Sequence, residues 1–209
     1  MRNTLIGMAL AILVTTSVAA SRSEAAFAAV EFSAGSGSNS TQLGPYNLGY
    51  RFQVNSPQTA TALGYFDFQG DGFTESHVVG LYTEAGALLA SATLTSSDTL
   101  LGNFRYRAIS PVALGVGVYR VAGTHNADTY AFNVSSLTTA PGITYLAPAY
   151  NFSGSPSFPN FLGGGATNGY FGGTLMVDSG AVATPLPPTL LAGFVGMAML
   201  AGVRRLRRA

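Results

Sequence analysis

The sequence predicts an all-β protein, an antiparallel β-sandwich or jelly roll. Strand-length runs rich in Tyr, Phe, Val and Thr recur at regular spacing through the middle of the chain. Gly, Pro, Asn and Asp separate them, as turns require. No window between the two ends shows a helical period of adequate length.

Residues 48–54 alternate, placing Leu48, Tyr50, Phe52 and Val54 on one face. Runs at 62–68 and 78–83 follow, and Glu84-Ala85-Gly86 joins the second of these to 88–94 as a hairpin whose glycine can take positive φ. Runs at 104–109, 118–123, 130–134, 143–150 and 174–177 complete the series, with Pro111, Gly115 and Gly117 breaking the chain before Tyr119. Residues 33–40 read as a flexible polar stretch. In the last third, Gly154-Ser155-Pro156, Pro159-Asn160 and Gly163-Gly164-Gly165 read as loops interspersed with Tyr145, Tyr150, Phe152, Phe158, Phe161, Tyr170 and Phe171.

Of 209 residues, 9% are charged and none is lysine, cysteine or tryptophan. Without cysteine there is neither disulfide stapling nor a thiolate metal site, so core packing carries the stability. Between 29 and 183, four arginines stand against eight carboxylates, a net charge of −4. An acidic, lysine-free module lacks the basic footprint of a nucleic-acid binder. The mean hydropathy of +0.31 partly reflects the two ends of the chain.

At the N-terminal end Arg2 precedes an apolar run at 5–14, and small residues follow at Val18-x-Ala20 and Ala26-x-Ala28. This is the layout of a secretory signal peptide, residues 1–28, cleaved after Ala20 or after Ala28. Residues 29–180 then form the exported domain. At the other end, 189–203 carries no charge and would rise about 22 Å as a helix, short of the roughly 30 Å hydrocarbon core. Arg204, Arg205, Arg207 and Arg208 follow at once and hold their side in the cytoplasm, so the preceding chain lies outside. Pro185, Pro187 and Pro188 keep the approach extended, the form in which a protease binds backbone.

Residues 181–209 resemble the bacterial PEP-CTERM sorting signal, a Pro-Glu-Pro-type motif followed by an apolar helix and an arginine cluster. Here the motif stands as Pro185-Leu186-Pro187, with leucine in place of glutamate. The resemblance implies Sec-type export, transient residence in lipid, and processing by an exosortase, a membrane-embedded cysteine protease, with release or transfer to the cell surface. Residues 46–124 resemble an uncharacterised bacterial β-sandwich domain found ahead of such tails. The matching segments are Leu48-Gly49-Tyr50-Arg51-Phe52, Ala62-Leu63-Gly64-Tyr65-Phe66-Asp67, Gly70-Asp71-Gly72, Ser76-His77-Val78-Val79-Gly80-Leu81-Tyr82 and Leu88-Leu89-Ala90-Ser91-Ala92-Thr93. This second resemblance implies a fold and an extracellular setting, but no reaction.

Asp67, Asp71 and Glu75, spaced around Gly70 and Gly72, offer oxygen ligands to Ca²⁺; the same residues equally suit a surface Asp-Gly turn. His77 and His125 are the two histidines, and Asp128 lies close to His125 in sequence. The dyad so suggested lacks a nucleophile: there is no cysteine, no Gly-x-Ser-x-Gly elbow and no His-Glu-x-x-His helix. The aromatic content suits a sugar-stacking platform or the core of a tryptophan-free sandwich. Arg105 and Arg107 share a strand face, free to pair with acids or to meet an anionic polymer.

The expectation is a non-enzymatic exported protein of the cell surface or extracellular polysaccharide matrix, structural or polysaccharide-associated. The alternatives are a secreted hydrolase or lyase using Asp67, Asp71, Glu75 and His77, and a permanently tail-anchored envelope protein.

Overall fold

The computed structural model describes residues 26–33, 38–41, 43–163 and 169–179. The apolar leader, the Pro185-Leu186-Pro187 motif, the apolar segment and the terminal arginines lie outside the described residues.

In chain order the strands are β1 (Ala26–Ala28), β2 (Val30–Glu31), β3 (Ser38–Ser40), β4 (Tyr46–Val54), β5 (Gln58–Phe66), β6 (His77–Thr83), β7 (Leu88–Leu94) and β8 (Thr99–Leu101). They continue as β9 (Phe104–Leu114), β10 (Gly117–His125), β11 (Tyr130–Phe132), β12 (Thr138–Thr139), β13 (Ile143–Asn151), β14 (Phe161–Leu162), β15 (Gly169–Phe171) and β16 (Gly173–Ser179). One 3-10 turn, Phe68–Gly70, interrupts the series. A five-stranded sheet runs β1-β16-β5-β9-β8 and a six-stranded sheet β14-β13-β4-β10-β6-β7. Two small sheets, β15-β11-β3 and β12-β2, close the sides.

The two large sheets are antiparallel and share one core, the arrangement of a β-sandwich-like fold. The alternation in β4 buries Tyr50, Phe52 and Val54, while Arg51 and Gln53 are only half-buried. From the six-stranded sheet the core takes Val79, Leu81, Leu94 and Val121 as well; from the five-stranded sheet it takes Leu63, Tyr65, Leu175 and Val177. Phenylalanines fill the space a tryptophan would take: Phe32 sits 5.8 Å from Phe66, 5.5 Å from Phe104 and 5.0 Å from Phe171, centroid to centroid. Tyr50, fully buried, satisfies its hydroxyl on Thr174 Oγ1 at 3.0 Å.

β16 crosses close to β10, and glycine makes the approach possible. A Cβ on Gly173 would stand 2.6 Å from both Ala122 C and Gly123 N. These are backbone atoms of a paired strand and cannot swing aside. Gly173→Ala is therefore expected to destabilise the fold by about 3 kcal/mol or more, read as a lowered urea midpoint.

Most predicted runs coincide with strands, and 88–94 matches β7 end to end. The Glu84-Ala85-Gly86 hairpin is present, with Gly86 at φ 90°. Four departures are instructive. β9 runs through Pro111 to Leu114 instead of stopping at 109, because the register shifts there: Ala62 faces Ala108 and Ala60 faces Val112. A proline is tolerated where the ladder is already broken. β5 begins at Gln58 and ends at Phe66, earlier at both ends than the predicted 62–68. Ser38–Ser40, expected as flexible chain, pairs with β11. β1 pairs with β16, Ala26 opposite Asp178, although no strand was expected there.

Candidate functional site

The antiparallel registers gather the most chemically dense side chains at one end of the fold. His125 at the end of β10 lies opposite Tyr46 at the start of β4, and Asn151 of β13 lies opposite Asn47. His77 opens β6, and Tyr65 lies near the end of β5.

His77 is fully buried, and both its ring nitrogens face acceptors: Nδ1 lies 2.7 Å from the Thr124 carbonyl and Nε2 lies 2.8 Å from Asp128 Oδ2. Each of these bonds forms only with a proton on that nitrogen. The Tyr65 ring stacks on the imidazole at 3.6 Å with 3° between planes, and Phe73 meets it edge-on at 4.8 Å. Tyr65 in turn bonds His125 Nδ1 at 3.0 Å. Burial, followed by the nearby Asp128 and Glu75 carboxylates, pushes the Tyr65 phenol well above its usual range.

Two carboxylates lace the 67–76 loop to the turn after β10. Asp128 accepts from the Thr74 amide at 3.0 Å, from the Thr74 hydroxyl and from His77. Glu75 accepts from the Asn126 amide at 2.8 Å, the Ala127 amide at 3.0 Å and the Asn126 side chain at 2.8 Å. Desolvation works to raise both carboxyls, but these hydrogen bonds outweigh it and hold both below the ordinary range.

A group whose folded value is depressed contributes stability that is complete above its unfolded value and is lost as pH falls through the folded one. Here the contribution of Glu75 and Asp128 is complete above about pH 4.5, since their ordinary values are 4.5 and 3.8. Melting temperature is expected to fall as the pH drops below 3.8, and Asp128→Asn is expected to flatten part of that fall.

The candidate residues from the sequence divide. Asp67 is buried and paired with Arg105, with Nε 2.6 Å from Oδ2, and its other oxygen accepts the Gly72 amide. Asp71 is exposed. Glu75 joins His77 and Asp128, whose ligand atoms all lie within 4.8 Å of one another. That trio is the group among the described residues able to share one cation. A cation there would have to displace the His77–Asp128 bond, since both partners already turn those atoms toward each other. The sequence suggested His125 as the partner of Asp128; the structure pairs Asp128 with His77 and His125 with Tyr65. Strand length decides this, because it sets which turn residues reach which strand end. Arg107 pairs with Asp98 at 2.9 Å, not with the same acid as Arg105.

Beside this polar cluster lies a cleft of about 160 Å³ lined by Tyr46, Leu48, Tyr130, Tyr150, Phe152 and Tyr170. Its rings form a closed circuit with His125. Tyr46–Phe152, Phe152–Tyr150 and Tyr150–Tyr170 have centroids 5.7, 5.5 and 5.5 Å apart. Tyr170–Tyr130, Tyr130–His125 and His125–Tyr46 complete it at 6.1, 5.1 and 6.3 Å. Sequence reading named most of these aromatics but could not group them, because they come from β4, β11, β13, β15 and a loop.

An antiparallel all-β domain with a laced polar cluster and an aromatic cleft at one end is the class that fold and site define. The chain belongs to the family described as a domain of unknown function, DUF4082, whose model matches residues 33–171. Comparison with curated proteins and with solved structures gives no significant match.

Proposed function

We propose that this is an exported protein of the bacterial cell surface or extracellular matrix, a β-sandwich delivered by a PEP-CTERM-type tail and associated with surface polysaccharide without an enzymatic role. The observation that carries this reading is the ordering of charge and hydrophobicity at the two ends. Arg2 ahead of an apolar run and four arginines behind a second apolar run agree on one topology, with the middle outside. Pro185-Leu186-Pro187 is the site presented to an exosortase-like protease, and 189–203 holds the chain in lipid until it acts. Ala26–Ala28 supplies an edge strand against β16, so signal cleavage after Ala20 keeps that strand and cleavage after Ala28 removes it. Cleavage after Ala20, with Ser21 as the mature N-terminus, is the alternative that this pairing supports.

Intact mass of the surface-localised form tests the reading. The expected mass starts at Ser21 and lacks the segment from the proline motif onward. A form that retains residues 189–209 would be a permanent tail anchor, and a cytosolic full-length chain would end the proposal.

A further inference from the structure

We infer that the cleft formed by Tyr46, Tyr130, Tyr150, Phe152 and Tyr170 is a binding site for a neutral polysaccharide, which it takes by stacking one pyranose ring at a time. This deepens the surface-polymer reading above and rests on it only for the source of the ligand.

Three tyrosines packed in or against the core close their hydroxyls on protein, while the buried Tyr106 hydroxyl has no partner among the described residues. Tyr50 bonds Thr174, Tyr65 bonds His125, and Tyr145 donates to the Gly169 carbonyl. In the cleft, Tyr130, Tyr150 and Tyr170 have no hydrogen-bond partner for their hydroxyls among the described residues. Tyr130 is only 6% exposed, yet its hydroxyl is not a sealed, unsatisfied group, so it is accessible to a ligand from the cleft. A ligand hydroxyl can bond these phenols without displacing a protein partner.

Apolar surface continues outward from the same point. Phe152 is 66% exposed and Phe161 45% exposed, their centroids 5.7 Å apart, with Phe161 a further 5.6 Å from Tyr150. These adjoining open rings extend the apolar face of the cleft outward. Ring faces take the C–H face of a sugar while phenol hydroxyls at the rim meet its hydroxyls. At about 160 Å³ the cleft is well below the roughly 300–1,000 Å³ of drug-sized sites, which suits one sugar ring rather than a folded oligomer.

Charge selects among polymers. Among the described residues, no charged one lines the cleft. The described arginines that an anionic polymer would seek are already paired: Arg51 and Arg120 with Glu84, Arg105 with Asp67, Arg107 with Asp98. The ligand is therefore uncharged, and its sugars present flat apolar faces, as β-1,4-linked glucan and chitin do.

The test titrates the full chain, purified in a detergent without a sugar headgroup, with cellohexaose, chitohexaose and alginate. Tyrosine emission is the readout, unobscured because the chain has no tryptophan. A saturable change with at least one of the neutral hexasaccharides and none with alginate is expected. Phe152→Ala, at an exposed position, is expected to weaken binding about tenfold while leaving the melting temperature near wild type. Tyr170→Phe, which keeps the ring, is expected to weaken it less. Absence of saturation with both neutral sugars, or Phe152→Ala binding as wild type does, overturns the site. So does a wild-type dimer by sedimentation that Phe152→Ala dissociates while no sugar binds, since the patch is then a contact between copies. Sugar binding together with an unprocessed tail would sink the sorting reading alone. A correctly processed tail without sugar binding would sink the cleft alone.

Discussion

Arg105→Met is expected to destabilise the protein by about 3–5 kcal/mol. The Asp67 side chain is 0% exposed, and Arg105 supplies the charge that allows a carboxylate to sit there. The same guanidinium donates to the carbonyls of Asp98 at 3.0 Å and Gly70 at 3.2 Å, so it also fastens two loops. Removing it leaves an uncompensated buried anion, which costs far more than the attraction itself. Thermal melts of three variants isolate the cause. The double variant Asp67→Leu/Arg105→Met is expected to recover much of the loss. Arg107→Met, whose side chain is 43% exposed, is expected to cost less than about 1 kcal/mol. Calcium that restored the melting temperature of Arg105→Met would mark Asp67 as a metal ligand rather than an arginine partner.

Asn47→Ala is expected to cost about 3 kcal/mol and to release the loop that carries Phe152. Asn47 is 1% exposed, and its amide nitrogen donates toward Asn151 Oδ1 at 3.0 Å, the Ser153 carbonyl at 2.8 Å and the Ser155 carbonyl at 3.0 Å. Asn151 completes the hub, donating to Ser157 Oγ at 2.9 Å and to the Phe158 carbonyl at 2.7 Å. Alanine would leave several acceptors facing each other with no proton between them. Hydrogen exchange at 152–158 is expected to rise well beyond the global change. Asn47→Asp is expected to do no better, because it turns an anion toward the same oxygens. Unchanged exchange in this loop would show that its conformation is set without Asn47.

The loop's other end is tied independently. Arg120 donates to both oxygens of Glu84 and to the Pro159 carbonyl at 2.7 Å, with its guanidinium carbon 4.6 Å from the Phe158 ring. The segment around Gly154-Ser155-Pro156 is a loop, as its composition indicates, yet it is a fastened one. Composition reports the lack of a ladder; it does not report side-chain hubs such as Asn47 and Arg120, whose acceptors lie about a hundred and about forty residues away respectively.

What could be read from residue order was whatever depends on neighbours in the chain. The period of two in 48–54 determines a buried face, the glycine of Glu84-Ala85-Gly86 determines a hairpin, and uncharged 189–203 before four arginines sets an expected orientation in a membrane. The pairing of Asp67 with Arg105, of Asp128 with His77, and the closing of the aromatic circuit were decided by strand register and by how the sheets stack. A side chain's partners across a sheet depend on where distant strands begin and end, and a shift of one residue would turn each of them to the opposite face.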